Sequence, residues 1–180
     1  MQGSAELWDT TVLFHGHACP GLAIGYRLTL EGAAFLGITD RSNDEEIVCI
    51  VETDACGIDA AQVLLGCSMG KGNLLLRLRG KNAMTFLHRP SKRACRVMWK
   101  NPEQSLDLSR DEKMHLFLTE SAEKCCKLVE VPYPDLPEAI ISPSITCDSC
   151  GEFTAEHMMR LIKGQKLCLD CVPHFSRVLD

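Results

Sequence analysis

The sequence predicts an α+β fold, with helices packed on a mainly antiparallel sheet and a small cysteine-rich unit appended to it. Three observations predict it. Apolar residues recur at helical spacing from Glu6 to Phe14 and from Pro20 to near Gly37, whereas β-rich runs dominate from Glu46 to Trp99. A proline-crowded stretch then separates this part from two cysteine pairs near the C-terminus. Finally, 180 residues hold one core of ordinary size plus an appendage too small to bury a core unaided.

The first helix rests on Leu7, Trp8, Val12 and Phe14 and is expected to stop at His15-Gly16-His17. The second opens on Pro20, suited to a first helical turn, and its Gly21, Gly25 and Gly32 are spaced to let a neighbour approach closely. Glu46 to Val51 reads as a strand and Ile58 to Leu65 as a helix. Asn73 to Arg79, Ala83 to Arg89 and Arg93 to Trp99 read as three successive strands, turning at Gly80 and at Pro90-Ser91. Ser109-Arg110-Asp111-Glu112 is a capping-box pattern with Met114, Phe117, Leu118, Ala122 and Cys125 at helical spacing behind it, which makes Cys125 a packing residue. Pro132, Pro134, Pro137 and Pro143 stiffen the next segment, so residues 1–131 are expected to form the core, 132–143 a linker and 144–180 the appended unit.

That unit contains Cys147-Asp148-Ser149-Cys150, seventeen further residues, and Cys168-Leu169-Asp170-Cys171. Two such pairs can present four thiolates to one zinc ion, so Cys147, Cys150, Cys168 and Cys171 are the expected ligands of a structural zinc, one per chain. Four thiolates leave no open position, and this ion should hold a fold together without doing chemistry. A turn near Gly164 and a helix over Val172 to Leu179 complete the order knuckle, hairpin, knuckle, helix, which is that of a treble clef. His157 and His174 read as surface or packing residues. The string from Cys147 to Cys171 also resembles the four-cysteine fingers of the DksA/TraR type.

Eleven cysteines, an odd number, with four at metal spacing and no signal-peptide pattern in MQGSAELWDT, place the protein in the reducing cytoplasm. No uninterrupted apolar run is long enough to span a membrane. The net charge of -5 is uneven: between Asp59 and Glu103 there are nine basic residues and no acidic one, which gives +9 there and -14 elsewhere. The basic third suits an anionic small-molecule ligand, with Lys71, Asn73, Lys81 and Arg89 as candidate contacts, while the acidic remainder argues against nucleic acid.

The densest chemistry lies in Phe14-His15-Gly16-His17-Ala18-Cys19-Pro20-Gly21. His15, His17 and Cys19 stand at alternate positions, so in an extended run all three would point one way. Cys19, just ahead of a helix, would meet free backbone N–H groups and the positive end of the dipole, which favours the thiolate form. Asp54 and Cys56 follow a strand, and Cys67 precedes the glycine-flanked Lys71. Spacing excludes a phosphate loop, since three residues rather than four separate Gly66 from Gly70-Lys71, and no Ser or Thr comes next. Cys19, His17, Cys56 and Lys71 are therefore candidates for catalysis, and His15, His17, Cys19, Cys56 and Cys67 for a second transition-metal site. Thiol chemistry at Cys19, with Cys56 or Cys67 as resolving partner, is a further reading.

FHGHACPGLAIGYR from Phe14, DACGIDAAQ from Asp54, GCSMGKGNL from Gly66 and GKNAMTFLHR from Gly80, with a four-cysteine finger behind them, resemble the FmdE family, named for formylmethanofuran dehydrogenase. The resemblance implies an α+β core, an auxiliary zinc finger, a homodimer, and a core site at His15, His17, Cys19, Cys56, Cys67 and Lys71. It also implies an accessory or oxidoreductase-like role linked to methanogenesis. A zinc-finger interaction, regulatory or metal-delivery module without turnover, docking a protein partner through the finger, is the alternative.

Overall fold

The computed structural model describes residues 1 and 3–173, which divide into a first compact unit, Met1–Ala139, and a second that begins at Ile140. The first unit contains helices α1 (Ala5–His15), α2 (Pro20–Leu36), α3 (Ile58–Leu65), α4 (Arg110–Thr119) and the single turn α5 (Ala122–Cys125). Its sheet comprises β1 (Ile47–Val51), β2 (Leu74–Leu76), β3 (Ala83–His88), β4 (Arg93–Trp99) and β5 (Cys126–Val131), in the order β2-β1-β3-β4-β5. Every pair is antiparallel except β1 with β2, so the fold is α+β with a mainly antiparallel sheet.

β2 departs from the expected run of three successive strands. It lies parallel to β1 at the sheet edge, because the chain crosses over through α3 before pairing Leu74 with Cys49. β5 is a strand beyond those the sequence predicts. Its CKLVEV alternates well enough to pair with β4 from Cys126↔Trp99 to Val131↔Ala94.

Period-two alternation divides the sheet's two faces. Ile47, Cys49 and Val51 of β1, with Met84 and Phe86 of β3, turn toward the helices and join Tyr26, Ala33, Leu36, Leu64 and Leu65 in the main core. Val48, Leu87 and Ala94 face the other way, where Tyr133 and Leu136 pack over them. Residues 132–139, expected as linker, thus belong to the first unit. Arg89 fastens them, its guanidinium donating to the carbonyls of Leu136 at 2.8 Å and Pro137 at 3.0 Å. Cys125 is fully buried in the main core, as its spacing indicates.

α2 is the centre of the unit, and its glycines decide how close its neighbours come. A Cβ on Gly25 would lie 2.1 Å from the Gly57 carbonyl oxygen, and one on Gly32 would lie 2.2 Å from Cδ2 of Phe86. Only glycine permits either contact. Gly21, on the same side as Gly25, faces Cys56, whose Cβ would lie 3.4 Å from a Cβ added at Gly21. The residues just ahead of α3 are therefore pressed against the start of α2.

The second unit pairs β6 (Ser144–Thr146) with β7 (Phe153–Ala155), and β8 (Arg160–Ile162) with β9 (Gln165–Leu167). The β8–β9 hairpin turns through Lys163 and Gly164, both at positive φ. Its apolar centre is Cys147, Leu167 and Cys168, with Met159, Ile162 and Val172 against them. Knuckle, hairpin and knuckle come in the expected order. Val172 and Pro173 are not helical, and the rest of the helix expected over Val172 to Leu179, with His174, lies outside the described residues.

Candidate functional site

Two groups of soft donors can each hold a metal ion. In the second unit Cys147, Cys150, Cys168 and Cys171 bring their sulfurs within 4.8 Å of one another. Gly151 at φ 79 turns the first knuckle, and its N–H donates to the Cys147 carbonyl at 3.0 Å. Asp148 ties the two knuckles together: its N–H donates to the Lys166 carbonyl at 2.9 Å and its carboxylate accepts the Lys166 N–H at 2.6 Å. Backbone N–H groups of Cys150, Cys168 and Ser149 pull the Cys147 thiol down to about 6, so its thiolate is favoured near neutrality. His157 is exposed and outside this donor group.

The first unit assembles His15, Cys19 and Cys56, whose donor atoms also lie within 4.8 Å of one another. Three segments contribute one residue each. His15 occupies the last turn of α1, which runs one residue further than expected because Gly16 caps it at φ 93, donating to the Val12 carbonyl at 2.8 Å. Cys19 is the N-cap of α2, and its sulfur accepts the Leu22 N–H at 3.3 Å. Cys56 precedes α3 and is held by the close packing of Gly57 on Gly25. Burial, the hydrogen bond with Cys19 and the Cys19 charge push the Cys56 thiol up.

The alternate-position expectation for His15, His17 and Cys19 gives way here. The run is a helix end, a left-handed glycine and a cap rather than a strand, so His15 and Cys19 converge while His17 does not join them. His17 is exposed and lays its ring on that of His15, with centroids 4.6 Å apart. Sequence reading also missed Asp59, whose carboxylate accepts from His15 Nδ1 at 2.7 Å. Gln62 donates to the other oxygen of Asp59 at 2.9 Å. With Nδ1 protonated toward Asp59, Nε2 keeps its lone pair, and Nε2 is the nitrogen 3.9 Å from the Cys19 sulfur. No spacing in the sequence announces a pair forty-four residues apart.

Cys67 lies at the opposite end of α3 from Cys56. It is fully buried, its thiol donates to the Ile47 carbonyl at 3.6 Å, and burial drives it up to about 12. The anion candidates are likewise dispersed. Lys71 Nζ donates to the Asp44 carbonyl at 3.1 Å, which Asn73 Nδ2 also reaches at 3.3 Å. Asn73 is buried and acts as a brace, bonded to Ile47 and Ser68 as well. Lys81 and Arg89 flank opposite ends of β3. Glu52, at the end of β1, is nearly buried in a two-pronged ion pair with Arg96 at 2.6 and 2.7 Å. The Arg96 guanidinium holds its carboxyl below the usual carboxylate range.

Fold and donor sets define an α+β protein with a four-cysteine finger and a second, three-donor cluster in its core. A family model described as FmdE, Molybdenum formylmethanofuran dehydrogenase operon, matches residues 14–133, and the chain belongs to this family. The chain is similar in fold to a tungsten formylmethanofuran dehydrogenase FmdE-like protein from Syntrophus aciditrophicus. That likeness has a TM-score of 0.70 at 22% identity, covering 92% of this chain and 90% of the other. A probable S-adenosyl-L-methionine-binding protein of Archaeoglobus fulgidus is 29% identical over 196 residues, 92% of this chain. The match takes in 52% of that relative, so the chain spans about half its length. No helix among the described residues is long and apolar enough to cross a membrane.

Proposed function

We propose that this protein is an accessory or oxidoreductase-like metal-binding protein of a reducing, cytoplasmic compartment. Its core holds a transition metal on His15, Cys19 and Cys56, and its finger holds a structural zinc. The observation that carries the reading is the convergence of one imidazole and two thiols from three separate elements, with Asp59 orienting the imidazole. Structural stabilisation alone does not call for this arrangement, since the surrounding core is already apolar and extensive.

Donor chemistry fits both ions. A tetrahedron with zinc–sulfur bonds of about 2.3 Å has sulfur–sulfur edges of about 3.8 Å, and Cys150 and Cys168 are 3.8 Å apart. Two sulfurs and one imidazole suit zinc or another soft first-row metal, and three protein donors leave a coordination position for an exchangeable ligand. A metal bound there would supply Lewis acidity. The protein's own contributions are the fixed His15 tautomer, a Cys19 sulfur backed by a helix N–H, and glycine packing that sets the position of Cys56. The family's association with formylmethanofuran dehydrogenase, and the homodimer, enter this reading on family membership alone.

Metal analysis of the wild type, Cys19→Ser and Cys147→Ser tests the assignment. About two ions per chain are expected in the wild type and about one in each variant. A single ion per chain that Cys19→Ser leaves in place would overturn the core site. A second reading, in which the finger docks a protein partner, is supported by Phe153 and Leu161, 80% and 72% exposed on its surface. Pull-downs with and without residues 140–180 test it: a partner retained by the core alone would remove it.

A further inference from the structure

A cavity of about 460 Å³ opens along the C-terminal half of α3, a volume within the range of small-molecule pockets. Its walls include Phe14, Arg41, Gln62, Gly66, Ser68 and Lys71. Two of these tie it to the His15–Cys19–Cys56 group. Phe14 directly precedes His15, and Gln62 holds the Asp59 that holds His15, one helical turn away along α3. The three-donor group lies toward the N-terminal end of α3 and the cavity along its C-terminal half. The helix is about 12 Å long at 1.5 Å per residue.

Both charges lining the cavity are positive. Arg41 makes no hydrogen bond or ion pair with any described residue, and it is exposed. Yet its side chain is directed. A Cβ on Gly66 would meet the Ser42 carbonyl oxygen at 2.4 Å and the Arg41 Cγ and Nε at 3.1 Å, so the bare Gly66 lets Arg41 and Ser42 lie across the end of α3, where the Ser42 N–H donates to the Leu65 carbonyl at 3.2 Å. Lys71 spends one ammonium proton on the Asp44 carbonyl and keeps two. The carboxylate of Glu46, near Lys71, is turned onto the Ser42 hydroxyl and the Asp44 N–H. Phe14, 57% exposed, presents an apolar surface at the side nearest His15.

We propose that this cavity binds the anionic end of a small molecule, with Arg41 and Lys71 on the anion, Phe14 against an apolar body, and the far end directed at the His15–Cys19–Cys56 group. The direction of the ligand rests on the metal reading above; the anion site does not. A molecule on the order of 10 Å long spans the two, given the length of α3. Arg41 is the residue that sets this site apart from the dispersed basic stripe, since it lies outside that stripe in sequence.

The test is titration of the ¹⁵N-labelled full chain with benzoate, phenyl phosphate and uncharged benzyl alcohol, read at the amides of Gly66, Ser68 and Lys71. Saturable shifts are expected with benzoate or phenyl phosphate, the tighter of the two naming the anion as carboxylate or phosphate, and none with the alcohol. Arg41→Ala and Lys71→Ala should each weaken binding about tenfold, the worth of one charge-assisted contact, with Arg41→Lys in between. Absence of saturation at these amides, or affinities unchanged in both alanine variants, would overturn the proposal. Cys19→Ser separates the two readings, because it should empty the core metal site while leaving anion affinity intact. In cobalt-loaded protein the probe's ring protons should broaden, and lose that broadening in Cys19→Ser. Unbroadened protons in protein that carries core cobalt would overturn the stated direction.

Discussion

The finger and the core each gather cysteine sulfurs, but they do so by opposite means. In the finger, donors come from two four-residue knuckles, and among the described residues only Cys147, Leu167 and Cys168 form a buried centre. In the core, donors come from a helix end, a helix cap and a loop, all pinned by a large apolar interior and by glycine contacts. A metal in the finger would substitute for a hydrophobic core. A metal in the first unit would be a guest in a fold that exists without it.

Metal removal should therefore split the molecule most sharply. Chelation, or Cys147→Ser, should unfold the finger, where a structural zinc would be worth on the order of 10 kcal/mol, and leave the sheet of the first unit intact by hydrogen exchange. Loss of protection in both units together would break the comparison.

The next largest effect concerns packing. Gly25→Ala should destabilise the first unit by about 3 kcal/mol and release the core metal, because the added carbon meets main chain that cannot turn aside. Denaturant melts and metal counts would check it, and a stable variant with a full core site would show that Cys56 is positioned some other way.

Glu52→Gln should cost about 2 kcal/mol by removing the carboxylate charge and one of the two acceptors that meet the Arg96 guanidinium. The sign with pH is set by the lowered carboxyl. Its contribution is fully present above the ordinary value of 4.5 and fades as pH falls through the lower folded value, so the gap between variant and wild type should close on acidification. Urea melts at neutral pH and below pH 4 would measure this.

Confined to the core site, Asp59→Asn should weaken metal affinity there about 10- to 100-fold with little change in melting temperature, while finger metal stays put. His17→Ala should barely move either. Competition with a chelator separates the two, and a His17 effect as large as that of Asp59 would place His17 among the donors.

The same contrast explains what the sequence disclosed. Local patterns were legible: the capping box at Ser109 and Glu112, the glycine face of α2, the four finger cysteines and the hairpin at Gly164 all depend on residues close in the chain. Cys19 and Cys56 were legible through motif density. His15 could not be told from His17, because the distinction depends on Gly16 taking a left-handed cap instead of continuing an extended run. Asp59, Arg41 and the parallel edge strand β2 escaped because each is fixed by where a distant segment lands. Cys67 sits in a conspicuous motif, yet its thiol faces the Ile47 carbonyl inside the core.

The contact of Gly25 with Gly57 has a last implication for anyone who would retune the core centre. Because two main chains abut there, the spacing of the donor-bearing segments is gauged by peptide groups rather than by side-chain rotamers. Exchanging Cys19 or Cys56 for other ligand types would then change hardness and charge at nearly constant bite, much as a jig accepts different bits.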